Sequence, residues 1–248
     1  VVQNTARLGE RRNQLLGQIR TSTTPAPLAP PDGGEAPVTL FILGPSRSGK
    51  TTLERLIGAS NEVAHSHERT ILQDVMRQTC SAAGISLPDA LSGLPMDHVA
   101  AFRQHLTRQL ITPAGRSATV ITNTNPHHIE DTLPAAAILP SARFAFIKRN
   151  IADLTLRIFM KRYNSGNEYA YDVGAITDYV AWYNEMIDAL AERLPDTSII
   201  ILYEDMIADP AETRSRIGRL CNIDLTGVPI LELGDDRGCA EPYRQHLK

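Results

Sequence analysis

The stretch that most limits what this chain can fold into is VTLFILGPSRSGKTTLERLI, residues 38–57. A run of strand formers meets a turn containing Gly44 and Gly49, after which Leu53, Leu56 and Ile57 recur at helical spacing. Strand, tight turn and helix in that order make an anion-binding corner. Successive backbone N–H groups turn inward around a negative charge, and the helix N-terminus adds its positive end. The glycines permit the turn. Arg47 and Lys50 add mobile positive charge, and Ser46, Ser48, Thr51 and Thr52 place hydroxyl groups along the loop.

The same alternation continues downstream. ATVIT (118–122), RFAFIK (143–148) and SIIILYE (198–204) are short apolar runs with polar ends, the pattern of strands buried in a parallel sheet. Helical patterns lie over 68–82, 97–110, 153–164, 174–193 and 210–221. Strands separated by helices of that length require right-handed crossovers and helices on both faces of the sheet. The expectation is an α/β fold of three layers, with a central, mostly parallel sheet flanked by helices. Ligands of such sheets bind at the carboxyl ends of the strands. Loop 44–52, residues 123–128, Arg149 and the pair Glu204–Asp205 should therefore converge.

Residues 1–20 read as a polar, weakly amphipathic helix that either docks on the fold or ends an upstream region. Residues 21–37 have the Pro, Gly, Ser and Thr content of a linker, and 38–248 form the main domain. The net charge of −3 gives no field for recruiting nucleic acid or an anionic membrane, so any anion site is local. Only four of the 25 basic residues are Lys (50, 148, 161 and 248), which makes Lys50 conspicuous. Cys80, Cys221 and Cys239 have neither metal-ligand nor disulfide spacing. No apolar run approaches a membrane span, so a cytoplasmic location is expected, with an upstream domain or a second copy as the expected protein partner.

The loop parses in two ways. Gly44, Gly49, Lys50 and Thr51 fit the triphosphate loop G-x-x-x-x-G-K-[ST], and the end of IIILYED would supply the Mg²⁺ carboxylate through Glu204 or Asp205. From Ser46 onward, however, SRSGKTTLERLI resembles the PRSGTTLLEQIL loop of sulfotransferases that use 3′-phosphoadenosine 5′-phosphosulfate (PAPS). FIKRNIADLTLRIF (146–159) is similar to their R-x-P-x-D-x-x-L-S-x-F segment, in register at Arg149, Asp153, Leu156 and Phe159. TNTNPHHIEDTLPAAAILPSARFAFIKRN (122–150), YNSGNEYAYDVGAITDYVAWYNEM (163–186) and ILYEDMIADPAETRSRIGRLCNIDL (201–225) resemble further stretches of the bacterial and tyrosylprotein-type members. The departures are Lys50 for the first Thr of SGTT, Thr124 for a Lys, Ile151 for a Pro and Arg157 for a Ser.

The resemblance implies a phosphate-loop-type fold and a sulfuryl group moved from PAPS to an acceptor hydroxyl or amine by in-line displacement, without a required metal. Loop residues Ser46, Arg47, Ser48, Gly49, Lys50, Thr51 and Thr52 would hold the 5′ end, Arg149 and Arg157 the 3′-phosphate, and Tyr203 would lie near the nucleotide. Arg237–Gly238 resembles a basic loop that closes over the 3′-phosphate. On this reading the carboxylates of YED are structural. Arg47 and Lys50 would spread charge in the transition state. Counting from the loop sets Glu68 on the family's base, with His67 and His65 as competitors. Asn123, Asn125 and the pair His127–His128 could contact donor or acceptor, although exposed loop histidines are the plainer reading. The acceptor stays open among carbohydrate, peptide tyrosine and small molecule, with segment 84–112 expected over it. A kinase or NTPase using Mg-ATP and an inert nucleotide-binding module are the alternatives.

Overall fold

The structure is a computed structural model that describes residues 2–21, 37–84, 96–110, 118–163 and 167–227. Most of the Pro-rich stretch, 22–36, and residues 85–95 and 111–112 of the segment expected over the acceptor lie outside these. Five strands, β1 (Val38–Leu43), β2 (Val63–His65), β3 (Val120–Asn123), β4 (Ala142–Lys148) and β5 (Ser198–Leu202), pair in the order β2-β3-β1-β4-β5. Every pairing is parallel. The chain runs from β1 to the edge strand β2, returns with β3 between them, and then crosses to the other side of β1 with β4 and β5. The carboxyl ends of β1 and β4 thus flank the point where direction reverses, which is where α/β sheets open a crevice.

Alternation along the strands assigns the two faces. Phe41 and Leu43 join Ile121, Phe144 and Phe146 in one core, while Leu40 and Ile42 join Val120, Ala145, Ile147 and Ile201 in the other. The first core is covered by α1 (Val2–Thr21), α3 (Ile71–Ala83), α4 (Met96–Leu110), α5 (Thr132–Ile138) and α7 (Val173–Arg193). The second is covered by α2 (Lys50–Ile57), α8 (Tyr203–Ala208) and α9 (Pro210–Cys221). Helix α1 lies on α7: Leu16 and Ile19 are buried, the Trp182 indole N–H donates to the Arg12 carbonyl at 3.0 Å, and the Arg12 guanidinium sits 4.7 Å from the Tyr179 ring centroid.

Two expected helices have different bounds. The pattern over 153–164 is helix α6, Ile151–Phe159. It starts earlier because the Asn150 side chain accepts from the backbone N–H groups of Ala152 and Asp153, an N-cap not recognised in the sequence. The pattern over 68–82 begins only at Ile71, since residues 66–69 are held in a turn described below. Strand β2 and helix α5 were not expected. Three residues with a His give little strand signal, and the Pro134 that reads as a breaker sits in the first turn of α5, where its missing N–H costs nothing.

Candidate active site

At Gly49 the backbone turns at φ 109°, and an added Cβ would meet the Tyr203 ring at 2.4 Å. Glycine is thus required twice, for its left-handed backbone and for the ring against it. Arg47 also has positive φ, 66°. Lys50 opens α2 and is buried. Its ammonium donates to the carbonyls of Gly44 and Pro45, each at 3.0 Å. Desolvation lowers its pKa to about 8, against the opposing pull of Glu68 and with help from Lys161 and Arg47. At neutral pH it remains mostly charged, with one of its three N–H groups beyond those two bonds.

The loop faces a cavity of about 180 Å³. Ser46, Arg47, Gly49, Lys50, Thr51 and Thr52 line it on the β1 side, Arg149 and Arg157 on the β4 side, and Tyr203 from the end of β5. Glu68 also lines it. Ser48, His65 and His67, proposed from the sequence, stand elsewhere. The Ser48 hydroxyl is buried behind Gly44 with no hydrogen-bond partner among the described residues, its backbone N–H donates to the Pro45 carbonyl at 3.3 Å, and Ser48 does not line the cavity. The His67 side chain is 78% exposed with Nδ1 3.5 Å from Glu54 Oε2, and neither His67 nor His65 lines the cavity. Arg237 and Gly238 lie outside the described residues.

Asp153 organises the two arginines. One carboxylate oxygen accepts from Arg149 Nε and the other from Arg157 Nε at 2.9 Å. Arg149 additionally donates to the Arg47 carbonyl at 3.1 Å, with its guanidinium carbon 3.7 Å from the Tyr203 ring centroid. These bonds hold both Nε edges and turn the guanidinium ends toward the loop. Glu204 accepts from the Asn150 backbone N–H at 2.9 Å, and neither it nor the exposed Asp205 lines the cavity. The end of β5 therefore presents a phenol ring to the loop, while the Glu204 carboxylate braces the turn after β4.

Glu68 sits in a turn pinned from three sides. The Ser66 hydroxyl donates to the Thr122 carbonyl at 2.6 Å, and the Thr124 N–H to the His67 carbonyl at 3.0 Å. The Arg69 carbonyl meets Asn123 Nδ2 at 3.1 Å, Asn125 Nδ2 at 3.5 Å and His128 Nε2 at 3.2 Å. The residues after β3 thus reach this turn and not the cavity, and His128 is buried, contrary to the exposed-loop reading.

Four participants were missed in the sequence. Lys161 and Arg55 line the cavity, and the Tyr163 hydroxyl lies 2.7 Å from Ser46 Oγ. The fourth is Glu54, buried at 4% exposure. It accepts from Thr122 Oγ1 at 2.6 Å and faces His65 Nδ1 at 3.5 Å. Burial pushes the Glu54 pKa upward, but the hydrogen bonds from His65 and Thr122 outweigh it and hold the carboxyl low, while Glu54 raises the His65 pKa.

Fold and site together define a phosphate-loop α/β protein whose cavity, among the described residues, is walled by six cationic side chains (Arg47, Lys50, Arg55, Arg149, Arg157, Lys161) against one carboxylate, Glu68. Residues 37–227 match the family described as "Sulfotransferase family", and the chain belongs to that family. Among solved structures it is similar to the sulfotransferase domain from the Synechococcus PCC 7002 olefin synthase, at 16% identity and TM-score 0.50 over 90% of this chain and 87% of that one. The sulfotransferase domain from the curacin biosynthetic pathway aligns at 14% identity and TM-score 0.49 over 78% and 77%. A sulfotransferase from Alicyclobacillus acidocaldarius aligns at 14% and 0.47 over 89% and 90%. At 16% identity the likeness to the olefin synthase domain speaks for the fold alone. Among the described residues no group of three His, Cys, Asp or Glu is placed to hold a metal, and no helix is long and apolar enough to cross a membrane.

Proposed function

We propose that this chain is a PAPS-dependent sulfotransferase and that the cationic cavity receives the phosphosulfate and 3′-phosphate groups of the donor. The observation that carries this reading is the end of β5, where Tyr203 faces the loop while Glu204 is bonded to the Asn150 N–H. A Mg-triphosphate site calls for a strand-end carboxylate near the loop. Here that place is taken by Tyr203 and the Arg149–Asp153–Arg157 group. The fit by charge is good: the donor carries about four negative charges, and six cations against Glu68 and the Asp153 that bridges two of them leave an excess of positive charge to meet them.

Loop residues 46–52 would hold the 5′ end, and Arg149 with Arg157 the 3′-phosphate. When bound, the donor supplies a sulfuryl group activated by its link to phosphate. Lys50, Arg47 and Lys161 stand where preorganised cations lower the cost of charge on the sulfuryl and leaving oxygens. Glu68, in the same cavity and on a pinned turn, is the candidate base that takes the acceptor's proton at its carboxylate.

Thermal stabilisation by adenosine 3′,5′-bisphosphate tests the reading. A rise in melting temperature is expected without Mg²⁺. Stabilisation by ATP that requires Mg²⁺, with none from the bisphosphate, would move the chain to the kinase class.

A further inference from the structure

A second cavity, of about 460 Å³, shares Glu68 with the first. It lies between α3 and α4, and its other described walls are Arg69, Thr70, Asp74, Val75, Gln78 and His105. Its volume falls within the range of small-molecule sites. The shared residue is the candidate base, so a group bound in this cavity has a carboxylate between itself and the cations of the donor cavity.

The walls specify chemistry. Val75 is the one apolar side chain among them, whereas Thr70, Asp74, Gln78 and His105 offer hydroxyl, carboxylate, amide and imidazole groups. A flat phenol needs apolar or aromatic walls. Exposed apolar surface does occur in this protein, in a groove formed by Ile151, Leu156, Phe159 and Val173, but that groove shares no lining residue with the donor cavity. Charge narrows the choice further. Among the described walls two carboxylates, Glu68 and Asp74, stand against one guanidinium, Arg69. Asp74 is itself engaged, accepting from the Thr70 hydroxyl at 2.8 Å and lying 3.6 Å from Arg77. An anionic acceptor finds no surplus cation among the described residues.

We propose that this cavity is the acceptor subsite and that it takes an uncharged, hydroxyl-rich acceptor of the sugar or polyol kind. The proposal rests on the sulfuryl-transfer reading above, and its test separates the two.

The full chain is titrated with adenosine 3′,5′-bisphosphate by calorimetry and then, with and without the bisphosphate, with methyl β-glucoside, methyl glucuronide and 4-nitrophenol by saturation-transfer NMR. Saturable binding of the glucoside is expected, with the glucuronide and the phenol weaker. Gln78→Leu and His105→Leu should each weaken glucoside binding about fivefold, as for loss of one hydrogen bond, while the affinity for the bisphosphate stays unchanged. Three results overturn the acceptor assignment: a preference for the phenol or the glucuronide, glucoside binding indifferent to both variants, or no glucoside binding up to about 100 mM. If the bisphosphate binds and the glucoside fails, only the acceptor class falls. If the bisphosphate itself fails to bind, the sulfuryl-transfer reading falls and the proposal with it.

Discussion

The guanidinium of Arg149 lies over the ring of Tyr203, carbon to centroid 3.7 Å, so that the ends of β4 and β5 meet directly above the loop that follows β1. The same ring closes against Gly49. One phenol therefore sets both the position of a cavity-lining arginine and the floor of the loop. Tyr203→Phe should keep both contacts and bind adenosine 3′,5′-bisphosphate within about twofold of wild type. Tyr203→Leu removes the cation–π contact and should weaken binding roughly five- to tenfold, in line with about 1 kcal/mol for such a pair. Isothermal titration of the two variants checks this.

Gly49→Ala should be among the most damaging single substitutions. It forces a Cβ into a φ of 109° and against the Tyr203 ring, costing about 1–2 kcal/mol for the backbone alone. A lowered melting temperature together with loss of bisphosphate binding is the expected result.

Asp153→Ala leaves Arg149 and Arg157 in place but removes the carboxylate that both Nε groups donate to. Because the variant adds net positive charge to the cavity, a purely electrostatic view expects tighter anion binding. The geometry leads to the opposite expectation, weakening by about tenfold, since two arginines lose their orientation at about 1 kcal/mol or less each. The sign of the change in bisphosphate affinity decides between them.

Lys50, with its pKa lowered to about 8, predicts a pH dependence of donor binding. Affinity should hold below pH 7 and fall as the pH rises through 8, because the free protein then loses the ammonium before the anion arrives. Bound anion favours the charged form, so binding at pH 8.5 should take up protons, measurable from the buffer dependence of the heat. Lys50→Met should bind more weakly and lose most of that uptake.

Glu54→Gln tests the buried carboxylate. His65 gains a raised pKa in the fold from Glu54, so the stability of that pair is fully present below the unfolded His value near 6.5 and is lost as the pH rises through the higher folded value. The substitution should therefore destabilise more at pH 5.5 than at pH 8.5, by about 1–3 kcal/mol at the lower pH. Urea unfolding at the two values measures the difference.

The parallel sheet was readable because β1, β4 and β5 are continuous apolar runs, and the loop because two glycines and a helix follow β1. Arg149, Arg157 and Tyr203 were reached through strand ends and motif register. Lys161 left a signal that went unused: Arg149, Asp153, Arg157 and Lys161 recur every four residues, the spacing of neighbours along one face of a helix. Glu54 was different in kind. It belongs to the same turn of α2 as the core residues Leu53, Leu56 and Ile57, and only the approach of Thr122 and His65 from two other strands makes a buried carboxylate tolerable there. The burial of His128 depends likewise on Phe41 and on the Arg69 carbonyl, partners that no local pattern announces.

Trp182 is the sole tryptophan of the chain, and its indole N–H is bonded to the Arg12 carbonyl beneath α1. The protein thereby carries its own optical gauge. Emission from that indole follows the seating of the first helix on α7, on the side of the sheet away from α2 and α8, and a red shift on detachment would be read without any label attached.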